Sequence, residues 1–185
     1  MRAAILITCF NRKDKTLSCL KSIYTQAKVK DLSLTIYLVD DGSSDGTSNA
    51  VSSTYPEVNI LFGDGNLYWN GGMNLAWRAA IKGCFDYYIW INNDIEMVSD
   101  AFRVMFEAYH SGYTSSTTKP VVVGCFYDPD SGHHAYGGFL VKKSIWGIAT
   151  QWASAVAWNW MALLYYFVAV LLIGIGKHLC INSCN

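Results

Sequence analysis

Three clusters of polar side chains, each placed directly after an apolar run, carry residue types that could bind a nucleotide or a metal ion. The clusters are "TCFNR" at Thr8–Arg12, "DDGSSD" at Asp40–Asp45 and "NND" at Asn92–Asp94. Carboxylate and amide oxygens are the ligands that hard cations such as Mg²⁺ prefer, and a guanidinium group pairs well with phosphate. These residues predict a site for an anionic ligand or a cation if the fold brings the clusters together.

The elements between these clusters predict an α/β fold in which this happens. Near-continuous apolar runs are typical of strands buried on both faces, and apolar residues recurring every three or four positions indicate helices. The predicted strands are Ala3–Thr8, Leu34–Val39, Val58–Phe62, Asp86–Ile91 and Val121–Phe126. The predicted helices are Asp14–Gln26, Gly46–Tyr55, Met73–Gly83 and Ser99–His110. This alternation favours a mostly parallel sheet covered by helices on both faces, which binds ligands beyond the carboxyl ends of its strands.

The composition excludes some classes of function. The 185 residues include 14 basic and 14 acidic side chains, so the chain lacks the basic excess of a nucleic-acid-binding protein. The six cysteines match no zinc-binding spacing, and we expect free thiols in a reducing compartment. The apolar stretch "MRAAILITCF" continues directly into "NRKDK", so we interpret it as a first strand, and we expect this part of the chain in the cytoplasm.

Four motifs in order carry a resemblance to a known family. They are "ILITCFNRKDKTLSCLKSI", "LVDDGSSDGT", "GDGNLYWNGGMN" and "YYIWINNDI". Over roughly residues 3–140 the sequence resembles the nucleotide-sugar-binding half of the inverting family 2 glycosyltransferases, and "GNLYWNGGMN" is most similar to bacterial rhamnosyltransferase-type members. The resemblance implies the GT-A fold, a Rossmann-like three-layer sandwich. It also implies transfer of a sugar from a nucleotide-diphosphate donor to a cell-surface glycan or glycolipid acceptor.

The resemblance also implies roles for individual residues. Asp40 would accept a hydrogen bond from the base, and the alternative is that its carboxylate caps the following turn. Arg12 would offset phosphate charge or lie in a solvated turn, and Asp45 is a helix cap or a ligand contact. The predicted nucleotide-sugar-binding residues are Thr8, Phe10, Asn11, Arg12, Asp40, Asp41, Asp64, Gly65, Asn66, Trp69, Asn70, Asn74, Asn92 and Asn93.

The triplet Asn92–Asp94 occupies the position of the family's D-x-D motif, which implies a divalent cation, Mg²⁺ or Mn²⁺, bridging the phosphates. Asp94 is the predicted metal ligand, since Asn92 and Asn93 offer only neutral amides. Glu96 would share its face on an extended strand and is the alternative second carboxylate. With one carboxylate we expect weaker cation binding than at a site with two.

The last 42 residues differ from the rest of the chain. We predict a nucleotide-sugar-binding domain over residues 1–143 and an apolar tail over 144–185, in which Lys177 is the single Lys, Arg, Asp or Glu residue. Residues 157–176 are apolar and long enough for a transmembrane helix. A truncated or frameshifted gene and a buried core helix are the other interpretations of the tail.

The sequence provides no candidate for the catalytic base. An inverting transferase needs a base for the acceptor hydroxyl, and in the family it comes from the second half of the domain. No Asp or Glu follows Asp130. Three hypotheses therefore stand: an active glycosyltransferase, an inactive sugar-nucleotide-binding module without an acceptor half, and a membrane-anchored subunit completed by a partner chain.

Overall fold

The computed structural model describes residues 1–26, 29–114, 121–127, 133–136, 139–144, 147–152 and 170–174. The chain forms two compact units. The first comprises Met1–Val122 with Val168–Asn185, and the second comprises Val123–Phe167.

The first unit is built on a six-stranded sheet with the strand order β3-β2-β1-β4-β10-β5. Its strands are β1 (Arg2–Cys9), β2 (Ser33–Asp40), β3 (Asn59–Phe62), β4 (Tyr87–Ile91), β5 (Val121–Val123) and β10 (Val170–Gly174). Its helices are α1 (Lys13–Tyr24), α2 (Thr47–Thr54), α3 (Tyr68–Ala80) and α4 (Ala101–Thr114), with a 3₁₀ turn at Ile81–Gly83. The pairs β1–β2, β1–β4 and β2–β3 are parallel, which confirms the predicted α/β fold with a mostly parallel sheet.

The strand order determines where the helices lie. The chain moves outward from β1 to β2 and β3, and then returns across β1 to β4. Because such crossovers are right-handed, α1 and α2 cover one face of the sheet and α3 covers the other. Alternate residues of a strand face opposite ways. Accordingly Ala4 and Leu6 of β1 pack with α3 and with Tyr88 of β4 in a fully buried core, while Ile5 and Ile7 supply the opposite face.

The predicted glycine-rich loop and the predicted fifth strand differ from the structure. The helix predicted to begin at Met73 begins at Tyr68, so more than half of the segment 63–74, interpreted as a glycine-rich loop, is helical. The strand predicted over Val121–Phe126 is divided: β5 ends at Val123, and the short strand β6 (Phe126–Tyr127) pairs elsewhere. The apolar pattern predicted a helix and a strand in these two regions but did not locate the start of the helix or the end of the strand.

The prediction of an apolar C-terminal helix over 157–176 is wrong where the structure describes it. Val170–Gly174 form β10, which pairs antiparallel with β4, from Val170 opposite Ile91 to Gly174 opposite Tyr87. A run of branched apolar residues fits a buried strand as well as a helix, and periodicity alone cannot distinguish the two. The rest of the predicted helix lies outside the described residues. Among the helices that the structure describes, none combines the length and the apolar character of a membrane span.

The second unit contains two small antiparallel sheets. The strands β6 and β7 (His134–Tyr136) form one of them, and β8 (Phe139–Ser144) and β9 (Gly147–Trp152) form the other. The pairing of β8 with β9 runs from Phe139 opposite Trp152 to Ser144 opposite Gly147, so these two strands form a tight hairpin.

Two cysteines lie in the core of the first unit and are expected to resist alkylation. Burial raises the pKa of Cys9 to about 12, with the charge of Asp40 adding to the effect, and burial with the charge of Asp94 does the same for Cys19. Because the thiolate is the reactive form, iodoacetamide at pH 8 should leave both thiols unmodified in the folded protein while labelling the exposed Cys125. Peptide mass spectrometry measures this. Labelling of Cys9 or Cys19 as fast as Cys125 would contradict the described core.

Candidate functional site

The carboxyl ends of β1, β2 and β4 meet at one edge of the sheet. Cys9 at the end of β1 lies opposite Asp40 at the end of β2, and β4 flanks β1 on its other side. Strands β2 and β3 lie on one side of β1 and β4 lies on the other, so the order in which strands are added to the sheet reverses between β1 and β4. In open parallel sheets this switch point is where ligands bind, beyond the carboxyl ends of the strands. All three polar clusters predicted from the sequence follow these strand ends.

The segments after β1 and β2 are joined by reciprocal hydrogen bonds. The Asn11 N–H donates to the Ser43 hydroxyl at 2.9 Å, and the Ser44 N–H donates to the Asn11 side-chain oxygen at 2.8 Å. Asn11 adopts a positive φ of 49°, which asparagine tolerates better than most residues. Asn11 therefore fixes the path of the chain between two strand ends. Neither Ser43 nor Ser44 was among the predicted site residues.

Asp45 caps the first turns of two helices, α1 and α2. Its carboxylate accepts hydrogen bonds from the Lys13 N–H of α1, at 2.9 Å, and from the N–H and hydroxyl of Thr47 in α2. These bonds, that of the Thr47 hydroxyl first, lower the pKa of Asp45. Of the two interpretations of Asp45, the helix cap is therefore the one that the structure shows.

Asp40 and Asp41 are both buried and both bind backbone N–H groups. Asp40 is 1% exposed, and its Oδ1 accepts from the Ser43 N–H at 2.9 Å. Asp41 is 4% exposed and accepts from three N–H groups of the glycine-rich segment: Gly65 on Oδ1, and Leu67 and Tyr68 on Oδ2. A carboxylate is a strong acceptor for N–H groups that a helix start leaves unpaired. Asp41 thus explains why α3 begins at Tyr68.

Glycines of this segment serve the packing of the protein. Gly65 has a φ of +88°, a conformation that glycine adopts without strain, and this turns its N–H toward Asp41. Gly72 lies in α3 directly over β1, where an added Cβ would approach the Thr8 side chain to within 2.8 Å of its Cβ. Thr8 is only 8% exposed as a result. The observed contact of Thr8 is with Gly72 of α3, and its place along a ligand stays a prediction.

The triplet after β4 directs its two amides into the protein. The Asn92 side-chain oxygen accepts a hydrogen bond from Trp69 Nε1 at 3.0 Å. Asn93 is 8% exposed and donates from Nδ2 to the Thr16 hydroxyl of α1 at 3.0 Å. These bonds anchor the end of β4 to α3 on one side and to α1 on the other. Asp94, the one acidic residue of the triplet, lies at the surface.

Asp94 meets Arg12 at the switch point between β1 and β4. Arg12 Nη1 lies 2.6 Å from Asp94 Oδ2, and the two side chains are 50% and 32% exposed. The sequence assigned these residues to phosphate and metal, and the structure places them in contact. An exposed pair of this kind contributes at most about 1 kcal/mol, so an incoming ligand can separate it.

The protein oxygen atoms near Asp94 can hold a divalent cation only together with oxygen atoms of a bound ligand. The described residues contain no group of three or more His, Cys, Asp and Glu side chains arranged to hold a metal ion. The oxygen of Asn92 is engaged by Trp69, and Asn93 faces Thr16. Mg²⁺ and Mn²⁺ are commonly held by one or two carboxylates together with phosphate oxygens and water, and Asp94 can supply that one carboxylate.

The remaining predicted site residues lie on the exposed rim around this edge. Phe10 follows β1 and is half exposed. Asp64 and Asn66 lie before α3, where the Asp64 carboxylate accepts from the Asn66 N–H at 3.0 Å. The exposed side chains of Asn70 and Asn74 line a cavity with Trp69. Two further lining residues, Trp77 and Trp90, were not predicted. The sequence could have indicated Trp77, because Trp69, Met73 and Trp77 are spaced four residues apart on one helix.

Comparisons with known proteins agree with this fold. A mannosyltransferase from Pyrobaculum calidifontis, solved in complex with GDP-Man and Mn²⁺, is similar with a TM-score of 0.54 and 21% identity over 70% of this chain and 36% of that one. Structures of S. aureus TarS 1-349 with UDP and with UDP-GlcNAc each give a TM-score of 0.49 and 17% identity over 60% of this chain, covering 33% and 32% of theirs.

This chain therefore spans about a third of the length of these solved structures. A search of curated protein sequences found no match. The profile described as "Glycosyl transferase family 2" matches residues 4–184, nearly the whole sequence. The chain belongs to glycosyl transferase family 2.

Proposed function

We propose that this chain binds a nucleotide-diphosphate sugar and takes part in transferring the sugar, with inversion, to a cell-surface glycan or glycolipid. The observation that carries the proposal is the meeting of Arg12 and Asp94 at the switch point between β1 and β4, in a chain that belongs to a glycosyltransferase family. A guanidinium and a carboxylate at this position would together offset the negative charge of a diphosphate, the first directly and the second through a cation. Arg12 would pair with phosphate oxygens, and Asp94 would hold a cation for which the same phosphates would supply further ligands.

The cation would supply electrostatic stabilisation of the departing diphosphate, whose negative charge grows as the glycosidic bond to the donor breaks. Arg12 contributes to the same end, since a fixed positive charge next to the leaving group favours the transition state. The mannosyltransferase to which this chain is similar was solved with GDP-Man and Mn²⁺, which supports a sugar nucleotide as donor and a divalent cation as cofactor. We place the activity in the cytoplasm. The rhamnosyltransferase-like wording of residues 65–74 favours a deoxyhexose or hexose donor.

A second candidate function is a binding module that holds the sugar nucleotide without catalysing transfer. Two observations favour it: the chain spans about a third of its structural neighbours, and no Asp or Glu follows Asp130 to act as base. Catalysis would then require residues supplied by another chain or by a further part of the same protein.

Calorimetry with UDP, dTDP and GDP, with and without Mn²⁺, tests the donor site, and a donor-hydrolysis assay separates the two candidates. Binding with turnover supports the enzyme, and binding without turnover supports the module. If none of the three nucleotides binds to the folded chain, the proposed function is wrong.

Replacement of Asp40 by alanine tests the predicted contact with the base. We expect nucleotide affinity to fall at least about tenfold, because a buried hydrogen bond to a charged acceptor is lost. Glu107→Ala serves as the control, since Glu107 is exposed on α4 and its observed bonds are to Arg103 of the same helix. Circular dichroism of both variants shows whether the fold is kept. Equal nucleotide affinity in folded Asp40→Ala and the wild-type chain would remove Asp40 from the site.

A further inference from the structure

The segment between β4 and α4, residues 92–100, contains Asp94 and forms neither helix nor strand. Its backbone N–H and C=O groups therefore depend on side chains or water for hydrogen bonds. Four polar side chains in α1 and directly after it supply several of these bonds, and we call them the polar stripe. They are Thr16, Cys19 and Ser22, which share one face of α1, and Gln26, which follows its end.

The far half of the segment is bound by Ser22 and Gln26. The Met97 N–H donates to the Ser22 hydroxyl at 3.1 Å. Gln26 Nε2 donates to the Val98 carbonyl at 2.8 Å, and Gln26 Oε1 accepts from the Phe102 N–H in the first turn of α4 at 3.2 Å. Because both ends of one carboxamide are engaged, the approach to α4 is fixed against the end of α1.

The near half of the segment, which contains Asp94, is bound by Thr16 and Cys19. Cys19 Sγ donates to the Asn92 carbonyl at 3.5 Å, and the Thr16 hydroxyl accepts from Asn93 Nδ2 at 3.0 Å. Thr16 and Cys19 are fully buried and Asn93 is 8% exposed, so water cannot replace these bonds. Asp94 follows Asn93 directly. The two bonds therefore fix the backbone from which the Asp94 carboxylate extends.

Thr16 also contacts the other partner of the ion pair. Its N–H donates to the Arg12 carbonyl at 2.9 Å in the first turn of α1. Thr16 thus holds Arg12 through its backbone, and it holds Asp94 through its side chain by way of Asn93. The two contacts can be separated by mutation, since a change of the side chain leaves the N–H in place.

On the basis of the proposed function, we propose that Thr16 is a positioning residue for Asp94 and holds it in the orientation that binds a cation next to a diphosphate. Where one carboxylate is the single acidic protein ligand, its orientation depends on the residues behind it. Thr16 touches neither ligand and acts through Asn93. Loss of a hydrogen bond that orients a metal ligand typically lowers metal affinity by about tenfold or more.

Titration calorimetry of Thr16→Val and Thr16→Ser tests the proposal. The measured quantity is the gain in affinity for GDP and UDP between EDTA and Mn²⁺. Thr16→Val keeps the size of the side chain and the N–H bond to Arg12 but loses the acceptor for Asn93. We expect it to reduce the gain from about tenfold to about twofold and to leave the affinity in EDTA within about twofold of the wild type. Thr16→Ser keeps the hydroxyl and should keep the gain.

Ile23→Val is the matched control for a loss of stability. Ile23 is a buried apolar residue of the same helix, and its truncation weakens packing without removing a bond of the polar stripe. Thermal denaturation compares its Tm with that of Thr16→Val. The gain with Mn²⁺ should be unchanged in Ile23→Val.

An unchanged gain in folded Thr16→Val would overturn the proposal, and so would an equal loss of the gain in Ile23→Val. Should Thr16→Val fail to fold, Ser22→Ala releases the Met97 N–H of the same segment and should reduce the gain about threefold. An unchanged gain in that variant also overturns the proposal. A wild-type chain that binds nucleotide without any gain from Mn²⁺ refutes the positioning of a cation ligand alone, whereas absence of nucleotide binding refutes the proposed function.

Discussion

Replacing Asp41 by alanine is expected to destabilise the protein by about 3 kcal/mol, the largest loss of stability that we expect from a single change in the loop after β2. The carboxylate is 4% exposed and accepts from the N–H groups of Gly65, Leu67 and Tyr68 at 2.9, 2.9 and 3.0 Å. Alanine leaves all three donors without their partner at a buried helix start. For a chain of this length the loss corresponds to a fall in Tm of roughly 10 °C, measurable by thermal denaturation followed by circular dichroism.

Asp64→Ala is the matched control for this change. Asp64 lies in the same segment, and its observed bond is to the exposed Asn66 N–H, so its loss should cost less than about 1 kcal/mol. Asp41→Asn should also destabilise, because the three N–H groups use both carboxylate oxygens and an amide has only one. Similar Tm values for Asp41→Ala and Asp64→Ala would show that Asp41 does not hold the start of α3.

The same bonds explain why the sequence predicted the strands of the first unit better than its third helix. Strands β1, β2 and β4 are buried apolar runs, and such a run can be recognised from consecutive residues of the sequence. The start of α3 depends on a carboxylate 26 residues before Leu67, which no local pattern contains. Tyr68 even enters the helix with a positive φ of 51°, a conformation that tyrosine rarely adopts and that local propensity argues against.

The candidate site was predictable in its location and less so in its chemistry. Parallel-sheet topology places the three polar clusters at one edge, and the contacts of Asn11 with Ser44 and of Arg12 with Asp94 show that they meet there. Residue type does not reveal which polar groups are already engaged. Asp41 and Asn93 have the chemistry of ligand-binding groups, yet both are buried and hydrogen-bonded within the protein.

The C-terminal region shows the limit of composition as a guide. Val170–Gly174 have the apolar character of a membrane span and also of a strand buried in a sheet. Their pairing with β4 depends on a strand about 80 residues earlier in the chain, so only tertiary structure decides between the two. The same strand covers the edge of β4 that would otherwise be unpaired.

Replacing Asp94 by asparagine is expected to abolish the effect of Mn²⁺ on nucleotide binding. In the wild-type chain we expect Mn²⁺ to raise the affinity for GDP or UDP about tenfold or more, because Asp94 would hold a cation whose charge offsets that of the diphosphate. The asparagine keeps the size of the side chain but not its charge, so the affinity measured in Mn²⁺ should fall to the affinity measured in EDTA. Titration calorimetry in the two buffers gives both values. Glu96→Gln is the matched control and should keep the full effect of Mn²⁺.

Arg12→Gln should act in the opposite sense, because Arg12 pairs with Asp94 at 2.6 Å and competes with the cation for the same carboxylate. Its removal should lower nucleotide affinity in EDTA, where the guanidinium is the phosphate partner, and should enlarge the gain on adding Mn²⁺. The double variant with Asp94→Asn should lose that gain entirely, which makes the pair non-additive in a double-mutant cycle. If Asp94→Asn retains the full effect of Mn²⁺ and Glu96→Gln loses it, the cation is held two residues further along and the Arg12–Asp94 pair is only a surface contact.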